Sequence, residues 1–181
     1  ERALLVACAE MYFQGVSTRN VTAVLEAMCE GEISPMTVSR VAQEIDEKLL
    51  TFRHRRLEAT EWPYLHIDAR YEKVRVEGRV VSQAVLVAVG FTREGKREVL
   101  GWRVGDSESE ETWGELFRQL KDRGLRGLRL LTSDAHKGIV AAMRRHFQGV
   151  AWQRCRVHFK REVLRKVSWK VYREVAQGLI V

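Results

Sequence analysis

The sequence predicts an α/β fold: a ribonuclease-H-like mixed five-stranded sheet with flanking helices, preceded by a small helix-turn-helix-like segment. Three observations lead there. The hydrophobic period changes from helical to alternating near residue 60. Three strand-like stretches then follow one another with only tight turns between them. Beyond them, helical and strand-like stretches alternate to the end of the chain.

The helical segment comes first. Leu4, Leu5, Cys8, Met11 and Tyr12 recur at helical spacing, and Val21, Val24, Leu25 and Met28 repeat the pattern after an N-cap candidate at Ser17. Gly31 breaks it. Ser34-Pro35 restarts it, because Ser caps free N–H groups and Pro fits a first helical turn. Val38, Val41, Ile45 and Leu49 then carry the stripe. Two helices around a short turn predict a helix-turn-helix whose outer side shows Thr37, Ser39, Arg40 and Gln43. Such side chains suit phosphates and base edges, while a plain helical bundle with a polar face explains them equally. Thr51–Arg56 reads as a basic connector.

Tyr64–Ala69 alternates as a strand, with Tyr64, His66 and Asp68 on one face. Glu77-Gly78 marks a turn, Ala84–Val89 a buried strand, Glu94-Gly95 a second turn and Val99–Val104 a third strand. Ser107-x-x-Glu110 reads as a capping box before a helix carrying Trp113, Leu116, Phe117 and Leu120. Leu128–Asp134 is a strand ending in an acid, Ile139–Phe147 a helix, Val150–Cys155 a fifth strand, and Leu164–Val175 a last helix. Three antiparallel strands, then helix, strand, helix, strand, helix, is the order of the ribonuclease-H-like fold. The expected domains are a helix-turn-helix-like segment at 1–58, a ribonuclease-H-like core at 59–160 and a further helical stretch at 161–181.

Composition bounds the function. At 181 residues and 45% hydrophobic, the chain has enough apolar content for a core. Its 31 Lys+Arg against 24 Asp+Glu give a formal charge of +7, which favours a polyanionic partner. Cys8, Cys29 and Cys155 are odd in number and widely spaced, so a disulfide framework is not expected and a cytoplasmic setting is. No apolar run approaches the roughly 18 residues that span a membrane.

Two acids are the chemical candidates. The strand order makes neighbours of the strands that hold Asp68 and Asp134, so these acids can meet at one sheet edge. Paired carboxylates repel unless a cation separates them, and their oxygens suit Mg²⁺ or Mn²⁺. Taken singly, Asp68 also fits a strand-end turn and Asp134 a helix N-cap. Cys155 and His158, three apart at a strand–helix junction, admit a soft-metal site but equally a packed Cys and a helix-start His. From Arg154 to Arg173 there are eight Lys/Arg, Arg156 and Lys160 among them, against one acid, Glu162. Trp152, Phe159 and Trp169 interleave with them, as on a surface tracking a DNA backbone or on a solvated helix.

Several segments together resemble bacterial insertion-sequence transposases of the Mutator type. They are Tyr64–Tyr71 with Val74-Arg75, Arg97–Gly101, Gly105–Ser109, Ser133–His136 and Trp152–His158, in the family's order. The resemblance implies a DDE transposase that cleaves and joins DNA at terminal inverted repeats, uses Mg²⁺ (or Mn²⁺) and works as a homo-oligomer near the nucleoid. It implies that Asp68 and Asp134 are the first two catalytic acids and metal ligands, and that Cys155 and His158 form the family's Cys-x-x-His motif. It further implies a DNA-binding role for 1–58, a partial catalytic role for 59–160 and the start of a helical insertion at 161–181. The family's third acid, a Glu, lies downstream of that insertion. Glu162 and Glu174 sit too early to match it, so the chain is expected to be a fragment. The alternatives are a non-catalytic DNA-binding remnant and a helix-turn-helix regulator.

Overall fold

The structure is a computed structural model, and it describes residues 6–7, 10–11, 18–29 and 35–179. The chain divides into two compact units, Glu1–Arg55 and Arg56–Val181. The expected boundary at 160/161 falls inside a helix.

In the first unit, α1 (Thr18–Cys29) and α2 (Pro35–His54) pack against each other. Val21 is fully buried, whereas Val24 and Leu49, which the helical stripe included, are 43% and 39% exposed. The basic connector at 51–56 is corrected: α2 runs on through His54, and Thr51 Oγ1 donates back to the Glu47 carbonyl. The first helical pattern lies largely outside the described residues, as do Gly31, Ser34 and the side chain of Thr37.

The second unit is built on one sheet of β1 (Tyr64–Val76), β2 (Arg79–Phe91), β3 (Arg97–Gly105), β4 (Leu130–Ser133) and β5 (Ala151–Arg154). Its strand order is β3-β2-β1-β4-β5. The first three strands are antiparallel neighbours, and β4 runs parallel to β1 and to β5. β1 is central, and its alternation sorts the sequence by face. Leu65 and Ile67 are buried, while Tyr64 and Asp68 are exposed and His66 is half-buried.

The buried face meets α3 (Glu110–Asp122) and α4 (Lys137–His146). Trp113, Leu116, Phe117 and Leu120 recur at i, i+3, i+4 and i+7, so one stripe of α3 enters the core with Leu86, Leu100, Leu131 and Ile139. The capping box is corrected. The N-cap of α3 is Ser109, whose Oγ accepts the Thr112 N–H at 3.0 Å, rather than Ser107. β4 begins at Leu130 rather than Leu128, because the N–H groups of Arg129 and Leu130 both donate to the Pro63 carbonyl.

The last helix is also corrected. It is two helices, α5 (Arg156–Lys166) and α6 (Tyr172–Gly178). Val167 ends α5 in an extended conformation. Neither helix has a buried residue to hold it straight, and Val167-Ser168 pairs a β-branched residue with one that competes for backbone hydrogen bonds.

Candidate functional site

β1 and β4 run parallel, and their last paired residues are His66 and Thr132. Asp68 and Asp134 each come two residues beyond that last pair. Neighbouring strands lie about 4.8 Å apart. Asp68 thus lies in β1 just past its last pair with β4, and Asp134 just past the carboxyl end of β4, the kind of edge where open α/β sheets place their ligands.

Asp68 is no strand-end turn: it lies inside the 13 residues of β1, with half of its side chain exposed and its Oδ1 accepting the Ala69 N–H at 3.0 Å. Asp134 follows β4 directly, and its Oδ1 accepts the His136 N–H at 3.0 Å. The N-cap of α4 is His136, not Asp134. The aspartate closes a local turn and keeps a second oxygen for another partner.

The Cys-x-x-His pair divides between interior and site. Cys155, at 7% exposure, is buried; its N–H donates to the Ser133 carbonyl and its own carbonyl accepts from Phe159. His158, one turn into α5, brings its Nε2 within 4.0 Å of the Asp68 Oδ1, and its Nδ1 is buried without a hydrogen-bond partner. Cys155 thus anchors the start of α5, and His158 faces the acid.

Sequence reasoning missed Glu108. β3 runs parallel to β1, so the loop after it emerges at the edge that holds Asp68 and Asp134. That direction was the available signal. The Glu108 N–H donates to Tyr71 Oη at 3.4 Å. The Glu108 carbonyl lies so close to Gly138 that a Cβ there would approach it to 2.8 Å, which fastens the loop over the start of α4. Partial burial pushes the Glu108 carboxyl above its ordinary pKa. Asp134 and Asp68 push it the same way, against the opposing pull of His136 and His158.

A carboxyl held above its ordinary pKa binds its proton more tightly in the folded chain than in the unfolded one. It therefore adds stability on acidification through the raised value and is a burden above it. Glu108→Gln is accordingly expected to melt higher than wild type at pH 7 in metal-free buffer, with the advantage fading as pH falls toward about 4. A pair of thermal scans at the two pH values reads this, and a variant less stable at pH 7 would contradict it.

Among the described residues, no three His, Cys, Asp or Glu side chains lie close enough together to hold a metal ion. The Asp68–Asp134 pair still fits a hard cation by its donor chemistry, since Mg²⁺ binds through one or two carboxylates and keeps several waters.

The residues named for DNA are distributed over both units. Ser39, Arg40 and Gln43 are exposed on α2. Arg156 is exposed and Lys160 half-buried on α5. Arg154 is tied to Glu162 and lies over the Phe159 ring at 5.3 Å. A cavity of about 430 Å³, lined by His158, Arg161, Leu164, Arg165 and Tyr172, opens beside His158. Trp169 is 84% exposed.

A mixed sheet of order β3-β2-β1-β4-β5, antiparallel over its first three strands and parallel from β1 to β5, with helices packed on it, is that of a ribonuclease-H-like protein. The same fold is found in the solved Drosophila P element transposase strand transfer complex, at a TM-score of 0.50 and 12% identity over 90% of this chain and 42% of that one. The chain belongs to the Mutator family of transposases, whose pattern it matches over residues 1–180. It is 42% identical to the transposase for insertion sequence element IS256 in transposon Tn4001 of Staphylococcus aureus, over 99% of this chain and 47% of the relative. It is 49% identical to the IS406 transposase of Burkholderia multivorans over 88% of this chain and 41% of the relative. The chain thus spans about half the length of these relatives.

Proposed function

We propose that this chain supplies part of the catalytic core and part of the DNA-binding surface of an insertion-sequence transposase, a metal-dependent enzyme that cleaves and joins DNA at the element's ends. One observation carries the reading: β1 and β4 pair in parallel as far as His66↔Thr132, and two residues further along each come Asp68 and Asp134. Asp68 and Asp134 would hold Mg²⁺ or Mn²⁺. When bound, such an ion activates an attacking water or 3′-hydroxyl and stabilises the leaving oxygen of a phosphodiester.

The chain's own residues have distinct tasks. Asp134 is fixed by the His136 N–H, which leaves an oxygen for the cation. His158 sits beside Asp68, its Nε2 4.0 Å from the carboxylate. Glu108 adds negative charge to the same edge, which raises the attraction for a cation. Arg161 and Arg165 on α5 line the cavity beside His158 for a phosphate backbone, and Arg156 and Lys160 on the same helix with Ser39, Arg40 and Gln43 on α2 offer further DNA contacts. Family membership supports this reading, as does the fold shared with the P element protein.

The test is cleavage and strand transfer on DNA carrying the element's terminal repeats, with a form of the protein that spans the full length of its relatives. Activity that requires Mg²⁺ or Mn²⁺ is the expected result. Equal activity in excess chelator would remove the metal-dependent reading.

A further inference from the structure

β1 and β2 pair along their whole lengths, from Tyr64↔Phe91 to Val76↔Arg79. Their neighbours stop short. β3 ends at Gly105, opposite Ala84, and β4 pairs no further than His66. Five residue pairs, Glu72↔Gln83 to Val76↔Arg79, therefore extend beyond the sheet as a two-stranded ribbon. At about 3.3 Å per residue it reaches roughly 17 Å. Glu77 and Gly78 both have positive φ, 48° and 79°, so the tip is a two-residue turn that keeps the ribbon narrow.

The ribbon is basic. Lys73, Arg75 and Arg79 are exposed, and among the described residues no carboxylate pairs with them. Of the two acids, Glu72 is already bound to Arg70 at 2.5 Å, and Glu77 lies in the turn. Lys73 and Arg75 share one face, and Arg79 lies on the other. Ser82, cross-strand from Lys73, adds a hydroxyl. The ribbon rises from the strand that carries Asp68, four residues earlier.

We propose that this ribbon contacts duplex DNA, lying in the major groove beside the strand held at Asp68 and Asp134. The inference rests on the DNA reading of the preceding section and gives it a second, separate contact. A B-form major groove about 12 Å wide admits a two-stranded ribbon. A ribbon seated there meets a phosphate wall on each side, which accounts for unpaired cations on both of its faces. Val76, Val80 and Val81 are exposed along the ribbon as well, at 44%, 62% and 38%. Those apolar side chains make a second copy of the chain the competing occupant, and the charge favours DNA.

The experiment is fluorescence-anisotropy titration of labelled duplex DNA across a range of salt, with wild type and the triple variant Lys73→Ala/Arg75→Ala/Arg79→Ala. Each phosphate contact contributes about 0.9 to the log–log salt slope, so the variant's slope is expected to be shallower by roughly 2–3. Its affinity at 0.1 M salt is expected to fall at least about tenfold. These side chains are solvent-exposed, so melting should hold. If the triple variant does not fold, Lys73→Ala and Arg79→Ala alone should each lower the slope by about 0.9.

A wild type that fails to bind duplex DNA overturns this inference together with the proposed function. A wild type that binds while the variants keep its slope overturns this inference alone. So does a dimer in sedimentation that Val80→Asp dissolves with the variants' DNA binding unchanged, which would assign the ribbon to a second copy.

Discussion

Asp68→Asn is expected to lower metal-dependent DNA cleavage by about a thousandfold or more, which corresponds to roughly 4 kcal/mol of transition-state stabilisation. The substitution keeps the shape of the side chain and replaces one carboxylate oxygen by an amide nitrogen that cannot bind a cation. It also takes a negative charge away from His158. Because half of the Asp68 side chain is exposed and its main hydrogen bond is to the adjacent Ala69 N–H, the fold has little to lose. Single-turnover cleavage by a form spanning the full length of the relatives reads the rate, and a melting curve reports folding. A variant that folds and cleaves within tenfold of wild type would remove Asp68 from the reaction. Asp134→Asn is a weaker probe, since its Oδ1 also organises the turn into α4.

Phe117→Ala should cost about 3–5 kcal/mol in urea denaturation. Phe117 is fully buried, with ring centroids 6.1 Å from Trp113, 6.2 Å from His146 and 5.0 Å from Phe147. Removing it opens a void where α3 meets the end of α4. Domains of ordinary stability hold about 5–15 kcal/mol, so a large share of the chain's stability goes with this one ring. A loss below about 1 kcal/mol would show that α3 and α4 do not meet through Phe117.

The fold was legible wherever one face of an element is buried. The α3 stripe and the Leu65/Ile67 alternation are both read directly from residue order, because burial imposes the period. The outer half of the β1–β2 hairpin was not. Its expected strands stopped at Ala69 and began again at Ala84, since none of Arg70–Gln83 is buried and the Lys73–Val76 alternation is too short to mark a strand by itself. The start of β4 failed for another reason. Leu128 and Arg129 look like strand, but Pro63, distant in sequence, takes the N–H groups of Arg129 and Leu130.

The site was legible as two acids and a strand order. Glu108 was not, because its neighbours Asp68 and Asp134 lie 40 residues before it and 26 after it, and only the direction of β3 brings them together. The Cys-x-x-His spacing gave no hint that its two members separate into an anchor and a neighbour of Asp68. That division follows from the start of α5 between β5 and the sheet edge.

The uninterrupted β1 has an evolutionary consequence. Between Asp68 and Val76 it contains no glycine, proline or bulge, so one pleat runs from the acid to the ribbon tip. Deleting one residue there would leave Asp68 in place and turn every side chain beyond the gap to the opposite face, Lys73 and Arg75 included. Length changes that preserve the ribbon's chemistry therefore come two residues at a time, matched on both strands. Among descendants of this sequence, the ribbon should vary in even steps while the spacing from Tyr64 to Asp68 stays fixed.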